Sequence, residues 1–266
     1  MKKIVLVCLI VIFLAVFCFS GRQLHTILQE YRAGEKTYES IEQYVVIPGA
    51  MTPPPPGNSE EGIEPSMPEQ TPEAPEILWP EVDFAALREI NPDVVGWLYI
   101  EGTQINYPIV QGKDNDQYLY RLITGERNGA GSLFLEAGLA PDFSDRNNPV
   151  YGHNMKNGSM FAGITGYKNQ SFYEEHPLAL LLTPERNYRV QIFSAYVLDA
   201  GGDAWDTRFT EKQMQAWLEG LMSRSCLETD VVPTTRDSVL TLSTCTYETE
   251  DSRFLVHGIL VPEDKI

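Results

Sequence analysis

Basic residues are scarce in this chain. Its 20 Lys and Arg face 37 Asp and Glu, a formal net charge of −17. A surface of that sign repels a phosphate backbone, which argues against nucleic acid as a partner. Cysteine is equally sparse. Of four cysteines, Cys8 and Cys18 fall in an N-terminal apolar run, where they read as small apolar fillers. That leaves Cys226 and Cys245 as the one disulfide to consider outside the cell, with Cys226 otherwise a helix-end residue buried by its own apolar face. There are only four histidines, so few groups are suited to acid–base work near neutral pH. No internal repeat is present, and residues 48–80 contain neither Lys nor Arg.

The first region that is rich in something is the N-terminus. Lys2 and Lys3 precede an uncharged apolar run over residues 4–19, long enough for a signal peptide or a short membrane anchor. Phe17, Cys18, Phe19 and Ser20 offer no small-x-small cleavage site, so residues 1–20 are predicted to remain as an anchor. The two lysines place its start inside the cell. A lipid on Cys18 is the alternative, but bulky Phe17 stands where a small residue is usual. Residues 21–47 carry Leu24, Ile27, Tyr31, Tyr38, Ile41 and Val45 at near-heptad spacing and predict a helical stalk. Residues 48–80, with Pro53 to Pro56 and glutamates from Glu60 to Glu76, predict a Pro/Glu-rich disordered linker.

Residues 81–266 alternate between apolar and polar in short runs. Strands are predicted over 97–100, 105–110, 132–135, 149–152, 178–182, 188–198, 239–245 and 254–261. Helices are expected after Asp83, its N-cap, and over 210–223 with Met214, Trp217, Leu218 and Leu221 on one face. Eight short strands with tight turns point to a mainly β fold, a closed or nearly closed barrel with peripheral helices.

The chemistry concentrates near the C-terminus. In the run from Ser238 to Tyr247, Val239, Thr241, Ser243 and Cys245 share one side of a period-2 strand, while Leu240 and Leu242 fill the other. Cys245 is thereby predicted to point away from the apolar core, as a nucleophile must. Arg253 follows it. Far upstream, His153 sits between a short apolar strand and a Gly/Asn-rich turn. A thiolate is stabilised beside imidazolium or guanidinium, so Cys245, His153 and Arg253 suit thiol-based acyl transfer. Glu248, Glu250 and Asp251 could instead pair with Arg253, and their charge disfavours the thiolate. His257 shares strand parity with Arg253 and is the alternative histidine; Arg236 and Arg208 are the alternative cations. Ser243, Thr244 and Tyr247 are candidate substrate-binding neighbours.

Thr241-Leu-Ser-Thr-Cys245 with Arg253 downstream and Tyr151-Gly-His-Asn154 upstream resembles the class B sortases. Residues 83–98 and 107–116 resemble the opening of that family's catalytic domain, so the likeness spans residues 81 to 262. The resemblance implies an eight-stranded sortase barrel and makes the excursion from Asp199 to Asp237 the loop beside the cleft where peptide specificity resides. It implies a membrane-anchored extracellular cysteine transpeptidase of a Gram-positive envelope, with Cys245, His153 and Arg253 as its catalytic residues. Its partners would be secreted proteins bearing a C-terminal sorting motif and a peptidoglycan amine, and no metal or organic cofactor is called for. A secreted cysteine peptidase, an L,D-transpeptidase and a non-enzymatic envelope binding protein are the alternatives. The second lacks its His-Gly-Cys-x-Arg context here.

Overall fold

A computed structural model describes residues 2–48, 78–199, 201–246 and 251–263. Eight of its strands close into a barrel, in the order β10-β8-β7-β3-β4-β5-β6-β9. In chain order these are β3 (Val94–Tyr99), β4 (Asn106–Val110), β5 (Leu133–Leu135), β6 (Asn147–Tyr151), β7 (Leu178–Leu182), β8 (Asn187–Asp199), β9 (Val239–Cys245) and β10 (Ser252–Glu263). Each corresponds to one of the eight predicted runs. Closure leaves the barrel without an unpaired sheet edge. Most neighbours are antiparallel, but β6 runs parallel to β9 and β4 parallel to β5.

Both predicted helices form, each with a side-chain cap. Asp83 Oδ1 accepts the Ala86 amide at 2.9 Å and opens α2 (Phe84–Ile90). Thr210 and Gln213 make a reciprocal capping box at the start of α4 (Glu211–Arg224), which satisfies amides the first turn would otherwise leave bare. The short helix α3 (Gln170–Glu175) and the 3-10 helix Phe161–Lys168 precede β7.

Strand parity divides the apolar residues into two layers. Leu240, Leu242, Phe254 and Val256 face the barrel interior with Leu98, Leu181 and Ile192. Val239, Leu255 and Ile259 face outward, and the buried face of α4, formed by Met214, Trp217, Leu218 and Leu221, covers them. The side of β9 that carries Cys245 is therefore not a solvent face along its length. Val239, Thr241 and Ser243 are buried, and exposure begins only at Cys245.

Helix α1 (Lys2–Ile41) is continuous across the predicted anchor and stalk. Its apolar start is bare, with Phe13, Phe17 and Phe19 more than 60% exposed, and by length and composition this helix is able to cross a membrane. Its last turns are different. Tyr38 and Ile41 are buried in the main core, and Tyr38 donates its hydroxyl to the Gly131 carbonyl at 2.6 Å. Two core residues thus come from the chain before residue 48. Just beyond the helix, β1 (Val45–Val46) pairs antiparallel with β2 (Glu81–Val82). Residues 49–77, the bulk of the predicted linker, lie outside the described residues, and the pairing of β1 with β2 brings the flanks of that segment together.

Candidate active site

Cys245 ends β9 and is half-buried. On one side its direct partner across the antiparallel ladder with β10 is Arg253, so the two side chains emerge on the same face. On the other side β6 runs parallel, with Tyr151 opposite Ser243. The paired register ends at Tyr151, two residues before His153, and Asn154, the residue after it, bonds the Cys245 carbonyl. The ladder with β10 thus sets the thiol beside a guanidinium, and the chain leaving β6 carries the imidazole of His153 towards the same strand end.

The chain just after β6 is tightly held. Gly152 donates its amide to the Ser243 carbonyl at 3.1 Å, and its own carbonyl accepts the Thr244 hydroxyl at 2.7 Å. A Cβ at position 152 would lie 2.4 Å from the Leu133 side chain and 2.7 Å from Phe161, so only glycine lets the chain pass here. Asn154 donates its side-chain amide to the Cys245 carbonyl at 3.0 Å, tying the turn to the strand end. Phe161 N donates to the His153 carbonyl, and Met160 closes the turn at a φ of +55°, a conformation L residues rarely adopt. His153 Nε2 lies 2.6 Å from the Leu119 carbonyl, and the Tyr120 ring stacks on the imidazole at 5.4 Å between centroids.

Arg253 is half-buried and donates Nη1 to the Ser252 carbonyl at 3.1 Å. A second cation lies close: Lys168 Nζ is 3.5 Å from the Thr246 hydroxyl and 5.3 Å from the centre of the Phe254 ring. The predicted ion-pair partners Glu248 and Glu250 lie outside the described residues, as does Tyr247.

The other predicted residues have different surroundings. Ser243 and Thr244 are each only 2% exposed, and their hydroxyls are engaged with Trp205 Nε1 and the Gly152 carbonyl. Both side chains thereby tie the strand end to its neighbours. His257 is completely buried, with Nδ1 2.9 Å from the Thr241 hydroxyl. Burial, and then the nearby Arg224 charge, pull its pKa down to about 3, so it stays neutral. Cys226 is an exposed free thiol rather than a buried helix end or a disulfide partner of Cys245. Arg208 and Arg236 line separate surface cavities.

The excursion after β8 reaches the same face. Trp205, anchored on Ser243, forms with Thr207, Arg208, Glu136, Gly138 and Asp145 the wall of a cavity of about 470 Å³. Glu136 in turn accepts the Tyr151 hydroxyl at 2.5 Å. The sequence motif around His153 includes Asn154 without giving it a task, and sequence reasoning misses Leu119, Tyr120 and Lys168. Leu119 acts through its backbone, which leaves no trace in residue type.

A closed eight-stranded barrel with a half-exposed cysteine at a strand end, facing an arginine, defines a narrow class of cysteine enzymes. The family model of the sortase domain matches residues 98–261. Sortase B of Listeria monocytogenes is 38% identical over 178 residues, covering 66% of this chain and 72% of that protein. Among solved structures, Staphylococcus aureus sortase B is 32% identical with a TM-score of 0.65, covering 68% of this chain and 87% of that one. Sortase B from B. anthracis in complex with AAEK1 reaches a TM-score of 0.71 at 31% identity, covering 89% and 100%. The chain belongs to the sortase family, within class B, and is a cysteine transpeptidase.

Proposed function

We propose that this enzyme is anchored by one membrane helix, works outside the cell and joins secreted proteins to the cell wall. Residues 1–20 form the anchor, a reading supported by the bare apolar start of α1; Lys2 and Lys3 favour a cytoplasmic N-terminus. The catalytic unit is the barrel together with the last turns of α1.

Cys245 is the nucleophile, His153 the proton donor and Arg253 the charge stabiliser. One observation supports this assignment: Arg253 pairs directly with Cys245 on one ladder, while on the other side Asn154, next to His153, bonds the Cys245 carbonyl. The Cys245 thiolate attacks the Thr carbonyl of a sorting peptide, and the guanidinium fork of Arg253 steadies the developing negative charge. His153 protonates the leaving amine, which leaves a thioacyl enzyme. An amine then resolves the intermediate. Staphylococcus aureus sortase B has been solved as a substrate complex, and a sortase B has been solved in complex with triglycine; both favour a peptide donor and an amine acceptor here. The cavity beside Trp205 and Glu136 is the natural extension of the peptide groove.

The test uses the full-length protein and a library of quenched fluorogenic pentapeptides. A Thr-containing peptide is expected to be cleaved, and Cys245→Ala to abolish cleavage. Added triglycine should divert the product from free acid to conjugate. Free acid alone in the presence of amine would assign a hydrolytic peptidase, and cleavage surviving Cys245→Ala would reject the assignment.

A further inference from the structure

We propose that Leu119 and Tyr120 are positioning residues for His153: the Leu119 carbonyl holds Nε2 and the Tyr120 ring holds the imidazole face, so Nδ1 is the atom that exchanges protons with substrate. This rests on the catalytic role given to His153 above. A carbonyl oxygen can only accept a hydrogen bond, so at 2.6 Å from it the Nε2 atom must carry hydrogen in every charge state of the ring. The neutral ring then has its lone pair at Nδ1. The imidazolium has one uncommitted proton, also at Nδ1.

Two features keep the ring from swinging out of this arrangement. Tyr120 lies nearly parallel to it, at 30° between planes, and packs against its face. The backbone on either side of Leu119 is braced as well. Ser132 N donates to the Tyr118 carbonyl at 3.1 Å, Ser132 Oγ donates to the Arg121 carbonyl at 2.8 Å, and the Tyr118 hydroxyl donates to Asp93 at 2.7 Å. Tyr38 of α1 props the far end of this loop through Gly131 and Ser132. A carbonyl braced on both sides is a fixed acceptor, and preorganisation of this kind is what a proton-transfer group needs.

The proton then follows a closed path. As the Cys245 Sγ–C bond forms and the peptide C–N bond breaks, the Nδ1 proton passes to the departing nitrogen and leaves a neutral ring protonated at Nε2. When the acceptor amine attacks, a proton from its nitrogen returns to Nδ1 and the thiolate leaves.

Long-range ¹H–¹⁵N correlation spectra of the full-length protein in micelles, recorded where the ring is neutral, read the arrangement directly. His153 should show a single tautomer with an exchange-protected Nε2 proton. Tyr120→Ala should remove that protection and lower kcat roughly 10-fold with KM within about twofold, while Tyr120→Phe should restore both. A proton on Nδ1 in the neutral wild type, or a Phe variant as impaired as Ala with KM raised, would overturn the proposal. Thermal melting of both variants separates misfolding from mispositioning. Cleavage that survives Cys245→Ala would refute the catalytic reading while leaving the spectra informative about the ring.

Discussion

His153 follows β6 and His257 sits in β10, the two strands that flank β9, at different depths. At the rim, His153 has one nitrogen tied to a backbone carbonyl and a tyrosine on its face. In the layer under α4, His257 is sealed among Phe193, Tyr196 and Trp217. It shares a hydrogen bond with Thr241, and its Nε2 has no partner among the described residues. Depth alone thus separates the rim imidazole, proposed above to exchange protons, from a neutral packing element. The lesson extends along β9, where one alternating face carries Thr241 and Ser243 under a helix and Cys245 into the open.

The sharpest way to break this comparison is to remove each imidazole in turn. His153→Ala should lower kcat by about 10³-fold with an unchanged melting temperature. His257→Ala should do the reverse, costing about 2–4 kcal/mol of stability through a cavity and an orphaned Thr241, with kcat of the folded enzyme nearly intact. Chemical denaturation paired with steady-state kinetics on both variants decides it. A loss of stability in the first, or of turnover in the second, would erase the distinction.

A pH series sharpens the same contrast. The unfolded chain protonates His257 near its ordinary value of 6.5, whereas the folded chain resists until about 3. More protons are bound by the unfolded state in that window, so stability falls as pH is lowered from 6.5 towards 3. His257→Gln should flatten that part of the profile. An unchanged acid slope would mean that His257 is not buried neutral.

The smallest expected effect concerns the brace behind the rim. Tyr38→Phe deletes the hydrogen bonds to Gly131 and Ser132 and should cost about 1 kcal/mol, with a modest fall in kcat because the loop bearing Leu119 loses its prop. An identical unfolding midpoint would argue that α1 merely lies against the barrel. For the same reason a fragment beginning at residue 81 should melt below the full chain, since it lacks buried Tyr38 and Ile41.

The barrel is readable because its strands are short apolar runs set off by turn residues, and both helix starts because Asp83 and Thr210 are strong caps. Cys245, Arg253 and His153 are readable as a motif, although only the pairing of β9 with β10 and β6 explains how they approach one strand end. What escapes has physical reasons. The 3-10 helix Phe161–Lys168 contains two glycines and no 3.6-residue period. Tyr38 and Ile41 belong to a seam that looks alike whether it faces a membrane, a second helix or a barrel. Cover for the Thr241 face comes from α4, a helix whose docking partner nothing local reveals. The Leu119 carbonyl has no side-chain signature at all.

If Cys245 carries the acyl group between donor and acceptor, intact-mass spectrometry will catch it there. With a cleavable Thr-containing peptide and no amine, the full-length enzyme should gain the mass of the peptide fragment ending in Thr, located on Cys245, and lose it when triglycine is added. Turnover without any adduct, or an adduct that persists in Cys245→Ala, would contradict the account.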